Sequence, residues 1–502
     1  MRALVAALMA IAATNTAAAL AAPQKWLEAN KGAVLRDYVD LLRIPNVASD
    51  LGDIRRNAEH ISRMMEQRGL SPRLLESENG KVPPLIYGEW KVPGAKRTLI
   101  LYAHYDGQPV TPEQWKVTQP FNPVLLSGRH DRGGKALPFP APGQPIDPEW
   151  RVYARSASDD KAGVMAILAA VDALKADKKR PSFNLKIVLE GEEEAGSPNL
   201  KELLRRHKSV LASDGWIIID GPAHQSGPPQ LTLGVRGDVN AELTVYGPVR
   251  PLHSGHYGNW APNPAMMLAE LLASMKDENG RVTIAGFYDD VVPLSPAERA
   301  AIAAVPPPDA ALRRDLGLGW TEGGGASLTE LIQLPSLNIN GIRSADVGER
   351  ASNVIPSTAI AALDLRLVLG DSPQRQIEKV RQHIRGQGYA LFDREPTMEE
   401  RLRFPKIAKL ASEAGYPAER TKLEHPLVRD LTAALRKDGQ LVVLPSLGGS
   451  LPLYLIREEL GAPSVVLGFW NHDNNQHAED ENLRLQNLWT AISALSSVLT
   501  MK

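Results

Sequence analysis

The sequence predicts an α/β fold in which a mainly parallel sheet flanked by helices is interrupted by a smaller α+β domain. Short apolar runs alternate with helical patterns in the first part of the chain, as expected of a buried parallel sheet. At 231–246 the pattern changes to alternating apolar and polar residues, which is typical of an antiparallel strand with one covered face. From about Leu410 helices and strands alternate again. We therefore expect a larger domain built from 23–236 and 409–502, with a second domain at 237–408 inserted into it.

The first part of the chain supplies most of the main sheet. Apolar runs predict strands at 97–102, 183–189 and 215–219. Apolar residues at helical spacing predict helices at 25–42, 53–69, 160–175 and 199–207. The segment 108–150 is rich in proline and glycine, and its interior at 129–148 is too polar and broken for a regular element. We expect 129–148 to form a surface loop.

The inserted domain has its own order of elements. After the strand at 231–246, the patterns predict a helix at 263–275, strands at 336–342 and 359–368, and a helix at 372–384. This order resembles a β-α-β-β-α-β sandwich with a polar, proline-rich insertion at 292–308. The last part of the chain then predicts helices at 427–436 and 483–499 and strands at 440–444 and 464–468.

Composition excludes some functions and some kinds of metal site. The 502 residues carry 57 Lys and Arg against 58 Asp and Glu, so there is no basic field for binding nucleic acid. The chain has no cysteine, which excludes disulfides and thiolate ligands. Any metal ion must therefore be held by His, Asp and Glu side chains.

The first 22 residues have the composition of a cleavable signal peptide. An early Arg2 precedes an apolar run that ends in small residues before Pro23. An N-terminal membrane anchor is the alternative, but 14–16 interrupts the apolar run and leaves it short for a span. We expect an exported protein, periplasmic or extracellular, with no membrane segment in its mature form.

Three consecutive carboxylates, Glu192, Glu193 and Glu194, follow the predicted strand 183–189. Taken alone, a solvated acidic turn is the simplest explanation of such a run. A metal ion or a basic partner is the other way to offset this much negative charge at a strand end.

Other potential metal ligands also lie at strand ends or in adjacent loops: His104, Asp106, Asp159, Asp160, Asp220 and His477. Each has an ordinary alternative. His104 could be a structural histidine, Asp159 a helix N-cap, and Asp220 a turn residue. Their combination favours a site for divalent ions, because a pair of ions needs a bridging carboxylate and terminal His or carboxylate ligands.

Seven short motifs carry a resemblance to a known family. In chain order they are LYAHYDGQPV, ARSASDDKAG, LEGEEEAGS, IIIDGP, PLHSGHYGN, LPSLGGSLP and NNQHAEDEN. Together they resemble the M20 metallopeptidase family, and within it the carnosinase-like dipeptidase branch. The resemblance implies a catalytic domain interrupted by a lid and dimerisation domain. It also implies two divalent ions, zinc first, with manganese or cobalt as alternatives.

The resemblance also implies the metal ligands. His104 and Asp220 would hold one ion, Glu194 and His477 the other, and Asp159 would bridge both. The peptide between Asp159 and Asp160 is expected to be cis.

The remaining roles concern catalysis and substrate. Glu193 would be the general base that deprotonates a water between the ions, and Asp106 would orient His104. The resemblance further implies that His253 polarises the substrate carbonyl. Residues expected to hold the substrate's carboxylate end are Arg366, Gly449 and Ser450.

Two features depart from the family pattern. Lys161 is followed by Ala162 before Gly163, where the family usually has Lys-Gly. The loop 129–148 is longer than in a typical dipeptidase and could reshape access for substrate.

The resemblance implies hydrolysis of dipeptides or short peptides, with N-acyl amino acid deacylation by the same mechanism as the alternative. A binding protein that kept the fold but lost catalysis is a third hypothesis, and the complete ligand set with Glu193 argues against it. The family pattern also implies a homodimer in which His253 reaches the neighbouring subunit's ions. The alternative for His253 is packing beside Tyr257 in its own turn.

Overall fold

The computed structural model describes residues 22–502. Its main sheet has eight strands. In spatial order they are Arg73–Leu75, Leu85–Trp90, Asn184–Glu190, Thr98–His104, Gly215–Ile218, Ser464–Gly468, Gln230–Thr232 and Val442–Leu444. The four central strands are parallel, and antiparallel pairs occur on either side of them. The predicted α/β fold class is confirmed.

Both faces of the main sheet are covered. Leu99 and Leu101 pack into one apolar core, whereas Ile100 and Tyr102 pack into another on the opposite face. The helices around this sheet are Ala22–Leu42, Leu51–Gln67, Lys161–Ala176, Leu200–Arg206, Lys208–Leu211, Pro426–Leu435 and Leu485–Leu499, with a π-helical turn at Ile456–Leu460. Burial on both faces explains why the central strands are continuous apolar runs.

Helix Lys161–Ala176 lies at the centre of the larger core. Its first residue, Lys161, is fully buried, and the Nζ atom donates to the carbonyls of Leu41 at 2.9 Å and Ile44 at 2.7 Å. Leu41 lies in the last turn of the first helix and Ile44 lies just beyond it, so this side chain ties the end of that helix to the core helix.

The second sheet contains the strands Ser336–Arg343, Thr358–Leu367, Gly234–Tyr246, Ile407–Ser412 and Ala390–Phe392, in that spatial order. Helices Pro264–Ala273 and Pro373–Gly386 pack on it and bury a separate apolar core. Strand Gly234–Tyr246 also pairs with Glu419–Arg420 and Leu447–Ser450. This strand and Ile407–Ser412 both cross the domain boundaries expected at 236 and 408, which stay predictions.

Short elements complete the described chain. A four-stranded sheet contains Asn482–Arg484, Arg151–Tyr153, Val124–Leu126 and Ala136–Leu137. A two-stranded pair joins Leu252–His253 to Val354–Ile355. The remaining helices are Ser254–Tyr257, Pro296–Ala303, Asp309–Asp315, Leu328–Leu331 and Met398–Arg403, and the 3₁₀ turns are Pro112–Gln114, His130–Arg132, Glu193–Ala195 and Gly348–Arg350.

The strand predicted at 231–246 is two strands. Gln230–Thr232 belongs to the main sheet, whereas Gly234–Tyr246 belongs to the second sheet.

Two further segments contain elements that the sequence analysis did not predict. Ala136–Leu137 lies inside the predicted loop 129–148 and pairs with Val124–Leu126, because an alanine and a leucine suffice for one edge of a small sheet. Helix Pro296–Ala303 lies inside the proline-rich tract. It begins with a capping box between Ser295 and Glu298, and its proline occupies the first turn, where no backbone donor is needed.

Among residues 22–502, no helix is both long enough and apolar enough to cross a membrane. The predicted signal peptide falls almost entirely on residues 1–21, which lie outside the described residues.

Candidate metal centre

The first candidate group of ligands forms where parallel strands end. His104 closes strand Thr98–His104 and is fully buried. Its Nε2 atom lies 2.9 Å from Asp159 Oδ1 and 3.9 Å from Asp220 Oδ2. Asp220 follows the neighbouring strand Gly215–Ile218. The carboxyl ends of parallel strands meet at one edge of the sheet, and this brings His104 and Asp220 together. Asp159 joins them from the segment that precedes helix Lys161–Ala176.

A second candidate group shares Asp159 with the first. The Nε2 atom of His477 lies 3.0 Å from Asp159 Oδ2 and 3.3 Å from Glu194 Oε2. The two oxygens of Asp159 therefore face different imidazoles. Gln108 donates to Glu194 Oε2 at 2.8 Å and fixes that carboxylate. A carboxylate with this placement is suited to bridging two ions.

Asp106 links the histidine of the first group to the glutamate loop. One of its oxygens lies 3.3 Å from His104 Nδ1. The carboxylate also accepts the backbone N–H groups of Glu193 at 3.1 Å and Glu194 at 3.0 Å. A carboxylate on Nδ1 holds the proton there and leaves Nε2 free to bind a metal ion.

The peptide between Asp159 and Asp160 is cis, which confirms the sequence prediction. The N-cap of helix Lys161–Ala176 is Asp160, whose side chain accepts from Gly163 N at 3.2 Å. It also accepts from Trp470 Nε1 at 3.2 Å. Asp159 is thus not the helix cap, and its side chain faces the two histidines.

The three consecutive glutamates have different surroundings. Glu192 accepts from the backbone and side-chain nitrogens of Asn199, both at 2.9 Å, at the start of helix Leu200–Arg206. Glu193 Oε2 lies 3.8 Å from His104 Nε2, but Glu193 is in neither candidate group. Only Glu194 is a member of one. The expected roles of Glu193 as base and Glu194 as ligand stay predictions.

The electrostatics of the cluster fit divalent cations. Burial raises the pKa of Glu193 and Glu194 well above the usual range, and their negative neighbours add to the effect. Burial and the charge of Asp159 raise the pKa of Asp220 to about 6. Burial opposes charge on Asp159 too, but hydrogen bonds from His104 and His477 outweigh it and lower its pKa. Oxygen and imidazole donors with this excess of buried negative charge suit zinc, manganese or cobalt.

The expected substrate residues line the same cavity as the cluster. This cavity has a volume of about 580 Å³, and its walls include Asp159, Glu193, Arg366 and the glycine-rich strand Leu447–Ser450. The Arg366 guanidinium donates to Ser450 Oγ at 2.9 Å and lies 3.0 Å from Asp364. Gly449 lines the cavity beside Ser450. A cation and a glycine-rich strand are therefore present in the wall of the cavity that contains the cluster.

His253 lies apart from these groups. It is exposed on the strand Leu252–His253 of the inserted domain. Its Nδ1 atom accepts from Gly255 N at 3.0 Å, and its ring lies 4.5 Å from that of His256. Neither candidate metal group includes it among the described residues. Its expected role depends on a second subunit.

The structure adds one buried carboxylate that the sequence analysis missed. Glu481 accepts the backbone N–H groups of Ser156, Ser158 and Asp159 at 2.8–2.9 Å and the Arg155 guanidinium at 2.9 Å. It thereby holds the segment that positions the shared ligand. The sequence could have pointed to Glu481, because this residue is part of NNQHAEDEN, the motif that contains His477.

Known proteins that are similar to this chain are metal-dependent peptidases, which agrees with the candidate metal groups. Residues 100–501 match Peptidase family M20/M25/M40. A Cys-Gly metallodipeptidase from Candida albicans is 26% identical over 455 residues, which cover 87% of this chain and 84% of that protein. Human Beta-Ala-His dipeptidase is 25% identical over 470 residues, which cover 90% and 82%. An M20 family metallo-carboxypeptidase from Sulfolobus solfataricus superposes with a TM-score of 0.74 at 28% identity and covers 93% of this chain and 98% of its own.

The relatives also correct the localisation expected from the N-terminal composition. The similar yeast Cys-Gly metallodipeptidases are intracellular enzymes, so the prediction of a periplasmic or extracellular protein is wrong. An apolar run ending in small residues is compositional evidence, and composition alone does not fix a compartment.

Proposed function

Because this chain belongs to Peptidase family M20/M25/M40, we propose that it hydrolyses the amide bond of dipeptides or short peptides with two divalent ions. The observation that carries the proposal is the position of Asp159. Its Oδ1 atom lies 2.9 Å from His104 Nε2, and its Oδ2 atom lies 3.0 Å from His477 Nε2. A carboxylate between two imidazoles is the arrangement that a pair of bridged ions requires.

Each ligand has a proposed place. His104 and Asp220 would hold one ion, Glu194 and His477 would hold the other, and Asp159 would be shared by both. Asp106 orients His104 through the Nδ1 atom. Zinc is the first candidate, with manganese or cobalt as alternatives, because the ligands are imidazoles and carboxylates.

Different residues around the ions are proposed to transfer the proton, bind the substrate and stabilise the developing charge. Bound divalent ions supply Lewis acidity, which lowers the pKa of a water molecule and polarises an amide carbonyl. Glu193 would accept a proton from the attacking water and would later return it to the leaving amine. Arg366, Gly449 and Ser450 bind the substrate's carboxylate end, and His253 of a second subunit stabilises the negative charge on the carbonyl oxygen.

Dipeptidase activity is favoured over N-acyl amino acid deacylation. The curated relatives described above are a Cys-Gly metallodipeptidase and a Beta-Ala-His dipeptidase. The family resemblance of Asp220 points the same way, because Asp at this ligand position tends to accompany peptidases that need a free amino terminus. A binding protein without catalysis is disfavoured because Glu193 and all five proposed ligands are present.

Metal analysis coupled to a substrate panel tests the proposal. Purified protein should contain about two divalent ions per chain and lose activity on chelation. It should hydrolyse dipeptides with a free amino terminus, whereas the same dipeptides with an acetylated amino terminus should be poor substrates. Preference for the acetylated compounds would favour the deacylase alternative, and no hydrolysis with both ions bound would contradict the proposal.

A further inference from the structure

One end of the catalytic cavity contains polar side chains that the proposed reaction does not use. Beyond Asp220 the chain turns through a loop and enters strand Gln230–Thr232. Gln230 and Thr232 line the cavity, whereas Leu231 packs into the main core. The two polar residues share a face because side chains alternate along a strand. Both are buried, with 6% and 1% of their surfaces exposed.

His224 lines the same cavity and is 1% exposed. Its Nδ1 atom accepts from the backbone N–H of Ser226 at 3.2 Å and lies 2.8 Å from the hydroxyl oxygen of the same residue. Burial, with the nearby charge of His472, lowers the pKa of His224, so the neutral ring is favoured. Since Nδ1 is an acceptor, the remaining proton is on Nε2.

Two of these polar atoms lack a hydrogen-bond partner within the described part of the chain. They are the Nε2 atom of His224 and the Oγ1 atom of Thr232. A buried polar group without a partner has lost its hydrogen bonds to water and gained none in return, which destabilises the folded protein. A ligand group that accepts or shares a hydrogen bond at this end of the cavity would remove that destabilisation.

The chemistry of the surrounding walls limits the ligand. The apolar lining of the cavity includes Leu328, Ile332 and Leu444, and Leu444 lies opposite Thr232 on the adjacent strand. The charged residues that line it are those of the metal groups, Glu193 and Arg366, which already have proposed roles. A charged substrate side chain at His224 and Thr232 would have no counter-charge of its own, whereas a purely apolar one would leave both groups unpaired.

We propose that His224, Gln230 and Thr232 form a subsite that selects dipeptides with a neutral hydrogen-bonding side chain, such as an amide or a hydroxyl. The inference rests on the proposed dipeptidase function and names its preferred substrate class. Sites built to hydrogen-bond a substrate group discriminate strongly against the analogue that lacks it, because their own polar atoms are then unpaired.

Pairs of substrates of similar shape test the subsite. The substrates are dipeptides that contain one glycine and either Asn or Leu, with the Asn or Leu at the first or at the second position. The Asn and Leu side chains have similar shapes and differ mainly in hydrogen bonding. At one of the two positions we expect the wild type to favour Asn over Leu at least about tenfold in kcat/KM. Thr232→Val should lower that ratio severalfold, and Thr244→Val, which alters a buried threonine outside the cavity, should not.

Two substitutions of His224 distinguish the effect of losing the Nε2 donor from the effect of losing the imidazole ring. In His224→Asn the side-chain oxygen can still accept from Ser226, but no donor reaches the position of Nε2. In His224→Gln the amide nitrogen can occupy that position. We expect the Asn-to-Leu ratio to fall in His224→Asn and to recover in His224→Gln. Equal losses for both dipeptides in every variant would indicate a structural role only and overturn the subsite.

Binding measurements distinguish failure of the subsite from failure of the proposed function. Calorimetric titration of the metal-loaded Glu193→Ala protein with the Asn and Leu dipeptides needs no turnover. Tighter binding of the Asn dipeptide, lost in Glu193→Ala/Thr232→Val, supports the subsite even if wild-type hydrolysis is slow. Equal affinity for the two dipeptides overturns it, although the wild type may hydrolyse both. No binding of either dipeptide, together with no hydrolysis, contradicts the proposed function and the subsite together.

Discussion

At the residue scale, Glu193 and Glu194 are neighbours in sequence with different surroundings. Glu194 lies 3.3 Å from His477 and accepts from Gln108, whereas Glu193 belongs to neither candidate group. We predict that Glu193→Ala abolishes turnover, by about 100-fold or more, and keeps both ions, because it removes only a proton acceptor. Glu194→Ala should lose one ion. Activity assays with metal analysis check both.

Glu192→Ala is the matched control, because Glu192 binds Asn199 rather than the cluster. It should keep both metal content and most of the activity. If Glu193→Ala loses an ion and Glu194→Ala keeps both, the assignment within the triplet is wrong by one residue.

Glu190 gives a prediction on pH and stability. Burial raises its pKa from 4.5 to about 7, although Tyr102 donates a hydrogen bond to it at 2.7 Å. Below pH 4.5 the carboxyl is protonated in both the folded and the unfolded state, so the shift has no effect. Between pH 4.5 and 7 the unfolded state ionises first, and the free energy of unfolding falls by about 3 kcal/mol.

Glu190→Gln removes this loss because an amide does not ionise. Its free energy of unfolding, relative to wild type, should therefore rise by about 3 kcal/mol between pH 4.5 and 7.5. Denaturant titration of the metal-free proteins at several pH values measures the difference. Glu242→Gln, on the exposed side of a strand, gives the baseline. A difference that does not change with pH would contradict the prediction.

The residues of the candidate metal groups have a clearer local signal in the sequence than the residues that support them. His104, Asp159 and Asp220 follow or precede regular elements, and this local signal is visible in the sequence. Glu481 contacts Asp159 across 322 positions and Gln108 contacts Glu194 across 86. Such contacts depend on how the strands are ordered in the sheet, which local patterns do not specify.

At the element scale, ion pairs connect the long loop to the inserted domain. Asp315, at the end of helix Asp309–Asp315, lies 2.7 Å from Arg132 and 3.5 Å from Arg129. Arg129 also lies 3.2 Å from Asp473, near the loop that carries His477. We predict that Asp315→Asn loosens this helix and makes trypsin cleavage at the exposed Arg313 and Arg314 about threefold faster, as expected for a partly exposed ion pair.

High salt should also make trypsin cleavage of the wild type faster, because salt screens exposed charges. Asp346→Asn is the control, since it removes an exposed pair with Arg350 elsewhere in the inserted domain. Equal cleavage rates for wild type and Asp315→Asn would mean that the ion pairs do not hold the helix.

Elements with a repeated apolar pattern were predicted within a few residues of their observed bounds. The predicted helix 25–42 corresponds to Ala22–Leu42, and 483–499 corresponds to Leu485–Leu499. Elements without such a pattern were missed. Ala136–Leu137 is too short for any period to be visible, and Pro296–Ala303 was hidden by the prolines around its capping box.

At the scale of the whole molecule, strand Gly234–Tyr246 joins the two parts of the fold. It is central in the second sheet and pairs near its start with Leu447–Ser450, which lines the catalytic cavity. The register brings Asp238 opposite Arg366 on the adjacent strand. The inserted domain therefore contributes a cavity residue through a continuous sheet, which favours a fixed position for Arg366 relative to Ser450.

The exposed side of the inserted domain gives the last prediction, which concerns assembly. Large apolar side chains near His253 are exposed, including Tyr257 and Trp260, whose rings lie 6.1 Å apart. Exposed aromatic residues of this kind favour a protein interface. We predict a homodimer through the inserted domains, in which His253 of each subunit completes the other's site.

Glu193→Ala and His253→Ala should each be inactive alone. After the two variants are mixed and their subunits exchange, about a quarter of the wild-type activity should return, because half of the dimers are mixed and each mixed dimer has one complete site. Mixing Glu193→Ala with Glu194→Ala is the control and should restore nothing, because both residues belong to the same subunit's site. Mixed dimers that form without recovering activity would mean that His253 acts within its own chain or packs beside Tyr257 without a catalytic role.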